Sequence, residues 1–449
     1  MDNDLKGLGI AIPSILLPDE KTNMKKWAVV ACDQFTSDAK YWSDVEKTVG
    51  NAPSTLHMIL PEIYLKDDDV AARIDFAKQT MVDYIEEGIL KELSPGFILV
   101  ERTISGKVRR GLMAAVDLDE YDFSKGSKSV IRATEDTLIE RIPPRVKIRE
   151  GAAVELPHVL VLMDDPEDTV IGTLSRAKAE LKEVYNFDLM QNGGHIAGYF
   201  CANENINNRV LEAASKLTLH DGMRFCIGDG NHSLATAKTV WENAKKYLSE
   251  EELATSPLRY ALVEIVNIRD EAMSMMPIHR AITKVSPAHC IQRVCDILNE
   301  KGLGAKLMFM RNTSRFKQGD DPYTIYVKTK QTTGKIEITK PSHPLAVGDI
   351  EPALEQYLSE NPSSSIEYLH GDSQFNEFSL MYDTVAFYMP NVDKANFFHT
   401  VIQCGVLPKK TFSLGEANEK RYYIECRLLK KPKPAEQENI EQQDNIEEK

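Results

Sequence analysis

The chain has 449 residues, 42% hydrophobic and 27% charged, with 54 basic and 68 acidic side chains and a net charge of −14. That length exceeds one ordinary core, so two or three domains are expected. The negative balance argues against general binding to phosphate backbones, and no run approaches the roughly 18 apolar residues of a spanning helix.

The first stretch, "MDNDLKGLGIAIPSILLPDE", is acidic at its start and broken by Pro13 and Pro18, so it does not read as a signal peptide. "KWAVVACDQF" (26–35) reads as a buried strand ending in a polar tip that carries Asp33 and Gln34. "SDAKYWSDVEKTVG" reads as a helix capped by Ser37 and stopped by Gly50. Apolar residues at Val70, Ile74, Ala77, Met81 and Ile85 have helical spacing. "GFILVERTISGKVRRGLMAAVDL" (96–118) is a hairpin around "SGK".

"HVLVLMDD" (158–165) is a further strand, "TLSRAKAELKEVYNF" an amphipathic helix, and "NENINNRVLEAASKLTLHDG" another helix. "MRFCIGDG" is a strand, followed by a helix with Leu234, Ala237, Val240 and Trp241 on one side. "RYALVEIVNI" (259–268) is a strand rich in β-branched residues. "SPAHCIQRVCDILNEKG" is a helix, "YTIYVKTKQTTGKIEIT" (323–339) a hairpin around Thr333-Gly334, and "DIEPALEQYLSENP" a helix. "DTVAFYMPNV" is a strand, "KANFFHTVIQCGVL" a helix capped by Gly405, and "KRYYIECRLL" a final strand.

This pattern predicts an α+β fold of mixed sheets with packed helices. The expected division is an N-terminal α+β domain (1–150), a central motif-bearing α/β domain (151–285), a C-terminal α+β region (286–431) and a disordered acidic tail (432–449). The seven cysteines are odd in number and form no Cys-x-x-Cys pair, so neither a zinc ribbon nor a disulfide framework is indicated. A cytoplasmic location is expected.

"CIGDGNHSLATAK" (226–238) packs Gly228, Asp229, Gly230, Asn231, His232 and Ser233 into the junction of a strand and a helix. Outward main-chain N–H groups and the helix N-terminus favour an anion such as phosphate there. The plain alternative is a glycine turn with Asn231 as the cap. "RIPPRVKIRE" offers Arg141, Arg145, Lys147 and Arg149; read as a stiff extended segment, it presents alternating cations to one side. Its alternative is a solvated charged strand. "DLMQNGGHIAGYF" (188–200) places His195 after Asn-Gly, which reads first as a plain turn. "MPIHRAI" sets His279 and Arg280 between apolar residues.

Four stretches carry a resemblance to the bacterial and archaeal family known as domain of unknown function 1015. They are "IGDGNHSLATA", "MPIHRAI", "TEDTLIERI" and "VVACDQFTS". The strand–Asp-Gly–helix junction is also similar to a phosphate-contacting motif of ParB/sulfiredoxin-like proteins, a group that includes nucleotide-dependent serine kinases. The sequence departs from the family pattern at Asn231 (family His), Ser233 (family Arg) and Thr134 (family His). Losing the Arg removes a bidentate phosphate donor.

Together these readings imply a nucleotide-dependent phosphotransferase acting on a small molecule, with Mg²⁺ and ATP, ADP or CTP. Asp229, His232 and Glu135 are the expected catalytic residues, with Asp229 and Glu135 on the metal. Gly228, Gly230, Asn231, Ser233, His279, Arg280, Arg145, Lys147, Asp33, Gln34 and His195 would bind ligand. A non-catalytic nucleotide- or metabolite-binding regulator is the alternative, favoured by Ser233. Hydrolysis of a small phosphorylated or amide substrate by His232 and Asp229 is a third class. A homodimer is compatible with the sequence, and no membrane contact is expected.

Overall fold

The computed structural model describes residues 7–136, 142–310 and 321–430. The fold is α+β, as the alternation of patterns predicts: mixed sheets covered by helices. In the first sheet nine described strands run in the order Lys182–Asp188, His195–Cys201, Phe97–Ile104, Lys107–Asp117, Tyr260–Asn267, Leu160–Met163, Phe225–Asp229, Ile131–Arg132 and Tyr121–Asp122. Ile10–Ala11 pairs with Lys107–Asp117 beside this path. Strands from the stretches 1–150 and 151–285 therefore lie in one sheet.

Side chains alternate across each strand. On the motif strand, Phe225 and Ile227 pack under the helices Val170–Arg176, Glu204–Ser215 and Asn231–Ala244. Cys226 faces the other way, into a cluster with Leu160, Leu162, Phe397, Val401 and Leu414. Near the other end of that second face, Trp42, Val45 and Val49 of the helix Ala39–Val49 pack on Ile98, Val100 and Met113. With both faces covered, near-continuous apolar runs are needed, which is why "YALVEIVN" does not alternate with polar residues.

The second sheet runs Ala305–Met310, Thr333–Ile338, Thr324–Lys328, Thr384–Tyr388, Met275–Thr283, Ser365–His370. The start of Met275–Thr283 also pairs with Phe412–Leu414. Helices Pro287–Glu300 and Ala346–Glu360 cover this sheet. Among the described residues no helix is long and apolar enough to cross a membrane.

Several elements differ from the sequence expectation. The helix expected over 173–187 ends at Arg176, and Lys182–Asp188 is a strand paired with His195–Cys201. Sheet pairing and the docking of Tyr185 over Gly198 override the helical propensity of "AKAELKE". The segment 142–149 is helical rather than extended, because Pro143 and Pro144 occupy the first turn, where no N–H is required. The turn of the second hairpin falls at 329–332, where Thr329 Oγ1 accepts the Gln331 and Thr332 N–H groups. Gly334 lies within the strand, where a Cβ would sit 2.8 Å from the Met308 carbonyl.

Asp38, not Ser37, caps the helix Ala39–Val49. Within 26–35 only Val29–Val30 is a strand, after a one-turn helix at Met24–Trp27. The last stretch forms two short strands, Tyr422–Tyr423 on Val29–Val30 and Arg427–Leu428 on Val154–Glu155. The acidic tail and Arg141 lie outside the described residues.

This C-terminal return segment is held by buried charge. Arg421 is 1% exposed; its Nε lies 3.1 Å from Glu264 Oε2, and its guanidinium also pairs with Glu425. Glu264 further meets Arg109 at 3.3 Å. Gly111 provides the space, since a Cβ there would collide with the Glu264 carboxyl group. Removing one partner of a buried pair leaves an uncompensated charge. Glu264→Gln is expected to lower the unfolding free energy by about 3–5 kcal/mol, read by urea denaturation.

Candidate functional site

The motif strand ends at Asp229, and the helix Asn231–Ala244 begins two residues later. Gly230 makes the corner with φ +83°, a left-handed conformation that L side chains rarely adopt. Its Cα also packs tightly, since a Cβ would lie 3.0 Å from Val159 Cγ2. Gly228 is constrained by packing: a Cβ would lie 2.7 Å from Leu414 Cδ1.

Asn231 does not cap the helix. Its side chain turns inward, where Oδ1 accepts the Thr134 N–H at 3.1 Å and Nδ2 donates to Thr134 Oγ1 at 3.3 Å. The N-cap position is Gly230, and no side chain caps the first turn. Gly228, Asp229, Gly230, His232 and Ser233 are partly exposed, so the corner is open to a ligand.

Lys420 gathers the surrounding charges. Its Nζ lies 3.1 Å from Asp229 Oδ2 and is almost wholly shielded from solvent. Glu135 lies beside this pair. Burial pushes its carboxyl up, Lys410 and Lys420 pull it down, Asp229 pushes it up, and the net value is above the usual carboxylate range. The chain at Glu135 is bridged to Leu407, which brings in the loop carrying Lys410. His370, at the end of a second-sheet strand, is pushed down to about 4 by burial and by Lys410 and Lys420. The first and second sheets thus contribute charged groups to one cluster.

The other side of the cluster is acidic. Asp33 Oδ2 lies 3.9 Å from His158 Nε2, and Asp33 Oδ1 accepts from Gln34 Nε2 at 3.0 Å. Burial raises the Asp33 carboxyl, but His158, Gln34, Lys420 and Arg145 outweigh it and hold the group below its usual range. Arg145 pairs with Glu62 next to Asp33. The structure brings Asp229, Glu135, Asp33, Gln34 and Arg145, all expected from the sequence, together with Lys410, Lys420, Glu62, His158 and His370, which were not. No spacing signal could have found the lysines, which lie about 190 residues beyond the motif.

Four expected site residues belong elsewhere. Arg280 is fully buried: its Nε lies 2.9 Å from Glu351 Oε2 and its Nη2 donates to the Lys409 carbonyl at 3.3 Å, bracing the loop that carries Lys410. His279 is a core histidine: it accepts the Met389 N–H at Nδ1, stacks on Tyr388 at 4.0 Å, and is pushed down to about 4 chiefly by burial. Lys147 is exposed, because residues two apart on a helix point to different faces, unlike those of an extended segment. His195 is an exposed hairpin residue bonded to Asp188 and Asn186, each at 2.7 Å. A cavity of about 390 Å³ lined by Asp164, Arg176, Arg209 and Lys216 lies off the far end of Leu160–Met163 from Asp229. Among the described residues, no group of three or more His, Cys, Asp or Glu is arranged to hold a metal ion.

A family model described as "Protein of unknown function (DUF1015)" matches residues 15–351. The chain belongs to the DUF1015 family. No curated protein matches it. Among solved structures, it is similar to a free serine kinase in complex with AMP at 11% identity, covering 71% of this chain and 92% of that one, with a TM-score of 0.38. A conserved hypothetical protein from Pyrococcus furiosus is similar at 12% identity over 71% and 92%, TM-score 0.34. SbnI with C-terminal truncation from Staphylococcus aureus is similar at 12% identity over 75% and 96%, TM-score 0.36.

Asn231 and Thr134 are hydrogen-bonded to each other, which pins the helix start to the chain that carries Glu135. Asn231→Ala leaves the buried Thr134 N–H without its partner and is expected to cost about 1–3 kcal/mol, measured by chemical denaturation. His279 gives a pH test. Its folded value of about 4 lies below the unfolded value near 6.5. Below pH 6.5 the unfolded chain takes up the proton first, so stability falls between pH 6.5 and 4. His279→Gln should flatten that fall in thermal-unfolding midpoints.

Proposed function

We propose that this protein is a nucleotide-dependent phosphotransferase acting on a small-molecule acceptor. The observation that carries the reading is the Asp229–Lys420 pair, with Glu135 and Lys410 beside it, at the start of a helix whose first turn no side chain caps. In this reading the first-turn amides, Lys420 and Lys410 receive phosphate oxygens. Lys420 supplies positive charge that the family's Arg would bring at Ser233. Arg145 adds charge from the Asp33 side.

Asp229 and Glu135 suit Mg²⁺. They are close enough for Asp229 to oppose ionisation of Glu135, a conflict that a cation relieves. Mg²⁺ is commonly held by one or two carboxylates together with substrate phosphates; it would supply neutralisation of phosphate charge. Phosphoryl transfer depends mainly on positioning and on cations, which fits a site without an activated nucleophile.

Calorimetry with ADP, ATP and CTP, with and without Mg²⁺, tests the reading. Affinity is expected to depend on Mg²⁺, and Lys420→Ala and Lys410→Ala should each weaken it about tenfold or more, the worth of 1.4 kcal/mol. Absence of measurable affinity for all three nucleotides would overturn it. Ser233 favours the regulator reading, which tight binding without turnover of labelled nucleotide would support.

A further inference from the structure

His158, Tyr423, Cys32 and Asp33 form a hydrogen-bonded row on the acidic side of the cluster. The Tyr423 hydroxyl lies 2.9 Å from His158 Nδ1 and 3.1 Å from Cys32 Sγ, and it accepts the Cys32 N–H at 3.2 Å. Burial pushes the Tyr423 phenol well above 10 and the Cys32 thiol up to about 12, so both keep their protons. A thiol sulfur is a weak acceptor and an imidazole nitrogen a strong one. The hydroxyl lies within reach of two acceptors, Cys32 Sγ and His158 Nδ1; donation to Nδ1 would place the ring N–H on Nε2, which faces Asp33.

The distance from Nε2 to Asp33 Oδ2 is 3.9 Å. That is too long for a direct hydrogen bond, yet one oxygen atom can sit about 2.8 Å from both. Asp33 Oδ1 is taken by Gln34, so Oδ2 is the oxygen turned to this gap. Asp33 also interacts with Lys420, the partner of Asp229, so the gap lies near the proposed phosphate-binding charges.

We propose that the hydroxyl of a small alcohol acceptor is held between Asp33 Oδ2 and His158 Nε2–H, with Tyr423 as the positioning residue that sets the histidine tautomer. This rests on the phosphotransferase reading and deepens it. Asp33 takes the hydroxyl proton as the oxygen attacks phosphorus. The bond from phosphorus to the leaving oxygen breaks, and its electron pair leaves with the nucleotide. His158 donates to the attacking oxygen and orients it, without changing its own proton count.

The test uses the full chain labelled with ¹⁵N-histidine. His158 should show the Nε2–H tautomer signature, and Tyr423→Phe should shift it toward the Nδ1–H form. A crystal structure at about 1.8 Å should hold an oxygen within about 3.2 Å of both Asp33 Oδ2 and His158 Nε2. Asp33→Asn should lower turnover about 100-fold or more while Mg·ADP binding stays measurable by calorimetry. An Nδ1–H tautomer in the unaltered protein overturns the proposal. So does an Asp33–His158 gap closed to direct contact, or turnover unchanged in Asp33→Asn. If the tautomer and oxygen are as expected but no nucleotide binds, the hydroxyl site stands and the phosphotransferase reading falls.

Discussion

The arrangement depends on a charge buried where charge is least tolerated. Arg421 sits inside the first layer between Glu264 and Glu425. An isolated guanidinium there would be costly, so the pairing leaves the return segment one place to lie. Arg102 adds a second tie, donating to the carbonyls of Gly193 and Asn418 from the middle of Phe97–Ile104. Arg427 adds a third through Glu155. These ties place Lys420 and Tyr423, which flank Arg421 in the chain, at opposite parts of one cluster. Buried ion pairs of this kind contribute little net stability against an apolar core.

The cluster itself is a balance of opposed charges. Asp33, Glu62, Glu135 and Asp229 lie against Arg145, Lys410 and Lys420. The acidic and basic groups are nearly matched in number. The two sheets meet here because Phe412–Leu414, which pairs with Met275–Thr283, packs Leu414 against Gly228, Leu162 and Cys226 of the first sheet. The chain then runs from that strand through Gly415 and the capped turn Ala417–Glu419 to Lys420.

Much of this fold was readable from local pattern. The strand–Gly-Asp-Gly–helix junction, the hairpin at 97–117 and the helices at 287–300 and 346–360 follow periodicity and turn chemistry that act over a few residues. The failures have a common cause. "AKAELKE" favours a helix in isolation, yet the next residues are claimed by the edge of a sheet. "IPPRVKIR" looks extended until its prolines are counted as a helical first turn. His279 and Arg280 looked functional because polar residues in an apolar run are unusual; in three dimensions a backbone amide and Glu351 satisfy them.

By itself, the amino-acid order determined the class of fold, the family and the corner at Gly230, since each depends on neighbours within a turn or two of the chain. Only the tertiary structure decided which charges meet. Asp33, Glu135, Asp229 and Lys420 span almost four hundred residues, and no spacing rule links them. What joins them is long-range strand pairing and a buried arginine, and the free energy of both depends on contacts that exist only after the chain has closed on itself.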